Sequence, residues 1–178
     1  MNLPSGEMRV RPMTAADLRP AMEIAAGLQE APRWADSAYL AAVDPEALPR
    51  RIALAAEDPE RGVEGFAVAC MFGPEAELET IAVAVESQRR GVGRRLMAAL
   101  EAELKRKGVQ KLHLEVRASN WAAQVFYRAL GFEETGRRPL YYADPVEDAV
   151  LMRLSLECAS PGLGVGTDPD PAKVARAC

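Results

Sequence analysis

The chain has 178 residues, which is enough for one domain with a full hydrophobic core but not comfortably for two. Its 22 basic and 26 acidic residues give a net charge of −4, which argues against a protein that coats nucleic acid or an anionic membrane. No apolar run approaches the roughly 18–20 residues of a spanning helix, and the first residues lack an apolar stretch of signal-peptide length. Three scattered cysteines and one histidine disfavour a disulfide framework and a multi-histidine metal site. We therefore expect a cytoplasmic protein without a metal.

Hydrophobic periodicity and turn residues predict an α+β domain over residues 7–157. In chain order, the first half has a strand (8–12), a helix from Thr14 to about Gly27, a second helix (34–43) and three strands (51–56, 63–72 and 77–85). The second half has a long amphipathic helix (90–107), a strand (111–117), a helix (119–130) capped by Ser119, and two strands (132–138 and 148–156). About seven strands and four helices thus form one mixed sheet with its helical cover. Residues 1–6 are predicted to be a flexible N-terminus, and the Pro- and Gly-rich residues 158–178 a disordered tail.

Basic residues are concentrated in one part of this acidic chain. From Glu86 to Arg117, nine basic residues face four acidic ones, so this segment carries +5 and the remainder −9. Such a segment indicates a local anion site, although a solvated basic helix face explains the same count.

The loop before the long helix has the chemistry of a phosphate site. Gly91 and Gly93 allow a tight turn close to a ligand, and the first helical turn presents free amides at the positive end of the helix dipole. Arg89, Arg90 and Arg94 add charged donors. Neither the third glycine of a dinucleotide fingerprint nor the Lys-Ser or Lys-Thr of a P-loop is present. The alternative is a plain turn with surface arginines.

A carboxylate and a phenol follow in the second half of the chain. Glu115 alternates with apolar residues on a strand, and Tyr127 lies two turns into the next helix, so both side chains can converge on one cleft. The structural alternative is a solvated Glu115 and a half-buried Tyr127 in the core.

The segment Gln88-Arg89-Arg90-Gly91-Val92-Gly93 resembles the Q/R-x-x-G-x-G/A motif of GNAT acetyltransferases, which holds the pyrophosphate of acetyl-coenzyme A (acetyl-CoA). The later segments Leu114-Glu115-Val116-Arg117-Ala118-Ser119-Asn120, Phe126-Tyr127 and Arg137-Arg138-x-x-Tyr141-Tyr142 resemble the bacterial RimI-type enzymes, which acetylate the N-terminal alanine of a small-subunit ribosomal protein. The resemblance implies a single GNAT-like domain with a mostly antiparallel sheet and direct acetyl transfer from acetyl-CoA to a primary amine.

The resemblance also implies a role for individual residues. Glu115 would be the proton acceptor and Tyr127 the proton donor, with Glu77 as the alternative base because many GNAT enzymes place theirs on that strand. The residues implied to contact acetyl-CoA are Ile81, Ala82, Val83, Arg89, Arg90, Gly91, Val92, Gly93, Arg94 and Asn120. Trp34, Tyr141 and Tyr142 would border the peptide groove. Trp121 departs from the family, where a small residue is usual, and is expected at the acceptor mouth.

These expectations favour a monomer or weak dimer that acts on a protein or peptide N-terminus, without nucleic-acid or membrane partners. One alternative is a GNAT enzyme for a small-molecule amine or a lysine side chain. Two others are a non-catalytic acetyl-CoA-binding module and a phosphate- or nucleotide-binding regulator.

Overall fold

A computed structural model of the chain describes residues 7–156. Its strands are β1 (Arg9–Pro12), β2 (Arg51–Asp58), β3 (Gly62–Phe72), β4 (Glu75–Val83), β5 (Lys111–Arg117), β6 (Glu133–Ala143) and β7 (Val146–Ser155). Its helices are α1 (Leu18–Ala26), α2 (Asp36–Val43), α3 (Val92–Arg106) and α4 (Trp121–Ala129). Seven strands and four helices in one α+β domain confirm the predicted fold class. The predictions of a flexible N-terminus (1–6) and of a disordered tail (158–178) lie outside the described residues.

The strands form one sheet in the order β1-β2-β3-β4-β5-β7-β6. All neighbouring strands are antiparallel except β4 and β5, which run parallel. This parallel pair is joined only at its start, through Glu75 with Lys111, Ala76 with Leu112 and Glu77 with His113. Both strands continue beyond these positions, β4 to Val83 and β5 to Arg117. The sheet therefore opens between its two central strands.

Helices cover the two faces of the sheet in pairs. On one face, α3 buries Val92, Leu96, Leu100 and Leu104, which recur every four residues and form one stripe against the strands. Tyr127 of α4 belongs to the same cluster. The opposite face carries a second cluster, in which residues of α1 and α2 pack against the sheet; its members include Leu18, Ala21, Tyr39, Ala42, Phe66 and Val68.

The start of α4 differs from the prediction by one residue. Asn120, not Ser119, is the N-cap, and its side-chain oxygen accepts a hydrogen bond from the Ala123 amide at 3.0 Å. The Gln124 side chain donates to the carbonyls of Arg117 and Ala118, which fixes how β5 leads into the helix. Ser and Asn are both favoured N-cap residues, so residue preference alone does not separate these two neighbouring positions.

A short 3₁₀ turn (Ala15–Asp17) precedes α1 and is held by a buried ion pair. Asp17 is almost fully buried and accepts hydrogen bonds from the Arg11 guanidinium and from the Thr14 amide and hydroxyl, all at 2.8–2.9 Å. The bonds from Arg11, with smaller contributions from Thr14, lower the pKa of Asp17 from 3.8 to about 2. The carboxylate therefore stabilises the fold fully above its ordinary pKa, and this contribution is lost as the pH falls towards 2.

We expect Asp17→Asn to lower the free energy of unfolding by about 2 kcal/mol at pH 7, from the size of that pKa change. Urea unfolding of both proteins at several pH values measures the difference, which should shrink between about pH 5 and pH 2 as the native carboxylate is protonated. Glu23→Gln, at an exposed position on α1, serves as the control and should change stability by less than about 0.5 kcal/mol. A difference that stays constant with pH would contradict this role of Asp17.

Candidate active site

The opening between β4 and β5 is the central feature of the site. Backbone amides and carbonyls along two separated strand edges need partners other than each other. An extended ligand can supply them by lying between the strands as an additional strand does. The predicted cofactor contacts Ile81, Ala82 and Val83 lie on the separated part of β4, with Ala82 buried and the other two half-buried.

The N-terminus of α3 lies beside the end of β4. Gly91 is its N-cap and has a φ of 84°, a conformation that an L side chain strains to adopt. No side chain caps the helix at this residue, so the amides of the first turn are available to an anion. Arg89, Arg90 and Arg94 are exposed around this end. The structure thus brings the predicted phosphate-binding residues together at one helix terminus.

Gly93 brings α3 close to α4. A Cβ atom at this position would lie 3.3 Å from the Phe126 ring and 3.9 Å from the Val83 side chain. These contacts leave little room for a larger residue, so the glycine fixes the spacing between the helix terminus and α4. A groove of about 560 Å³ runs along this junction; its walls include Arg89, Arg94, Trp121 and Phe126.

A second cavity, of about 260 Å³, lies on the opposite face, where alternation along β5 points His113 and Glu115 away from the α3 side. Its lining includes Glu75, Glu77, His113, Glu115 and Arg138. The Arg138 Nη1 atom lies 2.6 Å from Glu115 Oε1. The Tyr141 hydroxyl donates a hydrogen bond to the same carboxylate, and this bond raises the pKa of Tyr141.

The two carboxylates predicted as candidate bases share this cavity, but their partners differ. Glu115 pairs with Arg138, whereas Glu77 forms no ion pair with any described residue. Although Glu77 is accessible to solvent, partial desolvation by the cavity wall, followed by the charges of Glu115 and Glu79, raises its pKa above 4.5. Glu79 lies two residues further along β4. Its carboxylate accepts two hydrogen bonds from the Arg51 guanidinium, from Nε at 2.7 Å and from Nη2 at 3.0 Å.

Tyr127 belongs to the core cluster on the α3 side of the sheet. Its ring packs against Phe126 and Phe132, and only 8% of the residue is exposed. Burial, with a smaller contribution from Tyr142, raises the pKa of Tyr127 well above its ordinary value. The hydroxyl therefore stays protonated at neutral pH, as a proton donor requires.

The tyrosine pair of β6 forms a wall beside Glu115 and Arg117. The rings of Tyr141 and Tyr142 meet edge to face at 5.1 Å, and the Arg117 guanidinium lies 4.2 Å from the centre of the Tyr142 ring. Burial and the charge of Glu115 raise the pKa of Tyr142 to about 12. The contact of both tyrosines with a peptide stays a prediction.

Three other predicted positions have specific surroundings. The Asn120 side chain caps α4, and its contact with a cofactor stays a prediction. The Trp34 ring packs against Tyr39 at 5.3 Å, beside the second core cluster, and its contact with a peptide also stays a prediction. Trp121 lines the groove with Arg89 and Arg94 and not the cavity of Glu115, and its influence on the acceptor site stays a prediction.

Sequence reasoning did not assign roles to Arg138, His113 or Glu75, which share the cavity with the carboxylates. Two sequence patterns point to these residues. Arg138 lies within the Arg-Arg-x-x-Tyr-Tyr segment, and His113 lies two residues before Glu115 on the same strand face. The His113 Nε2 and Lys111 Nζ atoms lie 2.9 and 3.0 Å from the Glu75 carboxylate. Among residues 7–156, no group of three or more His, Cys, Asp or Glu side chains is arranged to hold a metal ion.

Residues 17–132 match the Acetyltransferase (GNAT) family. The [ribosomal protein bS18]-alanine N-acetyltransferase of Escherichia coli K12 is 46% identical over 93 residues, which cover 51% of this chain and 63% of that protein. The crystal structure of the E. coli ribosomal-protein-S18-alanine N-acetyltransferase has a TM-score of 0.76 and 33% identity, covering 88% of this chain and 99% of that chain. Ard1 from Thermoplasma volcanium follows the same fold, with a TM-score of 0.73 and 27% identity over 83% of this chain and 97% of its own.

The extent of these matches differs between sequence and structure. By sequence, the chain spans less than two thirds of the length of the E. coli protein. The structural match, in contrast, extends over nearly the whole solved domain. Together with the family match over more than half of the chain, these likenesses show that the chain belongs to the GNAT family of acetyltransferases.

Proposed function

We propose that the protein transfers an acetyl group from acetyl-CoA to the N-terminal α-amine of a protein, most specifically an alanine-initiated ribosomal protein. The observation that carries this proposal is the opening between β4 and β5, which has an anion-binding helix terminus on one side and a carboxylate cavity on the other. A donor with a phosphate group at one end of an extended arm and a thioester at the other fits this order of features.

The donor would use groups that the fold leaves free. The amides at the start of α3 and the exposed arginines around Gly91 suit the pyrophosphate of acetyl-CoA. The separated edge of β4 suits the amide-containing pantetheine arm, which can hydrogen-bond as an extended strand does. The thioester would then lie where the strands diverge, near Tyr127 on one side and Glu115 on the other.

The proposed reaction needs no covalent enzyme intermediate. Glu115, directly or through water, takes a proton from the acceptor ammonium, whose reference pKa of about 7.7–8.0 makes a modest base sufficient. The neutral amine attacks the thioester carbonyl carbon, and a β4 amide near Val83 hydrogen-bonds the developing oxyanion. The C–S bond then breaks, and Tyr127 donates its proton to the leaving thiolate. The proton released by the new amide nitrogen restores the tyrosine through solvent.

The N-terminal acceptor is favoured by the wall of Tyr141 and Tyr142 beside the carboxylates and by the named activity of the E. coli relatives. A lysine ammonium has a reference pKa of about 10.4, so its deprotonation needs a stronger base. An acceptor on the ribosome would place the reaction in the cytoplasm. In the part of the chain that the structure describes, no helix is long and apolar enough to cross a membrane.

A thiol-release assay with acetyl-CoA tests the proposal. The acceptors are short peptides that begin with Ala, Ser, Met or Gly, together with spermidine and free lysine. We expect turnover on the Ala-initiated peptide, with mass spectrometry mapping the acetyl group to its α-amine and no turnover when that amine is blocked. Turnover on the small amines alone would keep the donor and overturn the N-terminal acceptor. Binding of ATP without binding of acetyl-CoA would overturn the donor itself.

A further inference from the structure

We propose that Trp121 is a stacking surface for the adenine ring of the acetyl donor. This proposal rests on the proposed function, because the ligand is the nucleotide end of acetyl-CoA. Trp121 is the first residue of α4, and 67% of it is exposed. An indole this open to solvent contributes little to the hydrophobic core, so packing does not explain its position.

The surroundings of Trp121 form an apolar strip beside positive charge. Val125, one helical turn further on, is 60% exposed and lines the same groove, so the two side chains share one face of α4. Arg89 and Arg94 form the facing wall. A flat apolar surface next to two guanidinium groups suits a ligand that joins an aromatic base to phosphates.

The charge of the groove selects between occupants. Arg89 and Arg94 repel a cationic acceptor amine, whereas they attract the phosphates of a nucleotide. The same arginines lie at the start of α3, where the proposed pyrophosphate site is located. A base extending from that pyrophosphate therefore reaches the α4 face of the groove, at the residue where a broad π surface is exposed.

Fluorescence measures this contact directly. The chain has two tryptophans, so the Trp34→Phe variant leaves Trp121 as its only indole. We expect coenzyme A to quench this fluorescence, and 4′-phosphopantetheine, which lacks the adenosine portion, to leave it nearly unchanged. Stacking of one base predicts that Trp121→Ala weakens coenzyme A binding about 10-fold while phosphopantetheine binding stays within about 2-fold. Trp121→Phe should restore part of the affinity.

Leu48→Ala, which alters an exposed apolar residue away from the groove, is the control and should leave both affinities unchanged. Equal weakening of coenzyme A and phosphopantetheine by Trp121→Ala would overturn adenine stacking and assign Trp121 to the arm or to local structure. Unchanged affinities would overturn any ligand contact. Both results leave the proposed acetyl transfer intact, whereas a wild-type protein that binds no coenzyme A overturns the function as well.

Discussion

Replacing Glu115 by glutamine is expected to lower kcat by about 10²–10⁴-fold, the usual contribution of a general base. Glutamine keeps the size of the side chain and its ability to accept hydrogen bonds from Arg138 and Tyr141, but it cannot take a proton from the acceptor. Steady-state kinetics with the acceptor identified by the thiol-release assay measure the loss. Glu133→Gln, at an exposed position on β6, is the matched control and should retain normal kinetics.

Glu77, the alternative base, predicts a different pH dependence of the rate. Because the pKa of Glu77 is raised, a reaction that depended on this residue would lose rate on the acidic side at a pH above about 4.5, and Glu77→Gln would abolish that limb of the profile. If Glu115→Gln kept a near-normal kcat at pH 7 while Glu77→Gln lost it, the assignment of Glu115 would be wrong. The ion pair between Arg138 and Glu115 makes this comparison informative, since only one of the two carboxylates is already neutralised by a cation.

The second large effect is expected at Tyr127. Tyr127→Phe keeps the ring that packs between Phe126 and Phe132 and removes only the hydroxyl that would protonate the leaving thiolate. We expect kcat to fall by about 10²-fold or more, with little change in the affinity for acetyl-CoA or in the melting temperature.

Tyr39→Phe provides the matched control for this variant. Tyr39 is also buried, and burial likewise raises its pKa, but it lies in the cluster on the opposite face of the sheet. Its replacement should leave kcat unchanged. An unchanged rate in Tyr127→Phe would assign Tyr127 to packing alone, and equal losses in both variants would indicate a general effect on the fold.

The parts of the candidate site that the sequence predicts are those formed by neighbouring residues. The loop around Gly91 and Gly93 is continuous, and its strand-before, helix-after context follows from local periodicity. This loop needs no knowledge of distant contacts. Glu115 and Tyr127 also lie on consecutive elements, but Glu115 lines the cavity on the face away from α3 whereas Tyr127 packs in the core cluster on the α3 side, so their convergence on one cleft stays a prediction.

The contact of Arg138 with Glu115 is not predictable in this way, because it depends on an irregular strand. The register of β6 against β7 shifts between Arg138 and Tyr142. Within this bulge, Leu140 has a φ of 54°, and its amide donates to the Asp148 carboxylate at 2.9 Å. A further register shift, between Glu134 and Gly136, precedes Arg138. A period of two therefore does not predict which β6 side chains line the cavity, as Thr135 and Arg138 do.

The local sequence also does not predict that Trp121 lines the groove. The sequence places Trp121 in the first turn of α4, but the direction of that turn depends on how α4 packs against α3. Gly93 and Phe126 set this packing through a contact between residues 33 positions apart in the chain. Local patterns predict the helix and leave its rotation about its own axis open.

The groove beside α3 and α4 and the cavity beside the carboxylates lie on opposite faces of a sheet whose strands β4 and β5 diverge. A donor and an acceptor that bind on opposite faces do not obstruct each other, so neither needs to depart before the other can bind. The architecture thus suits a ternary complex in which donor and acceptor are present together. It also separates the residues proposed to bind the donor from those proposed to bind the acceptor, so that either preference can change while the other is kept.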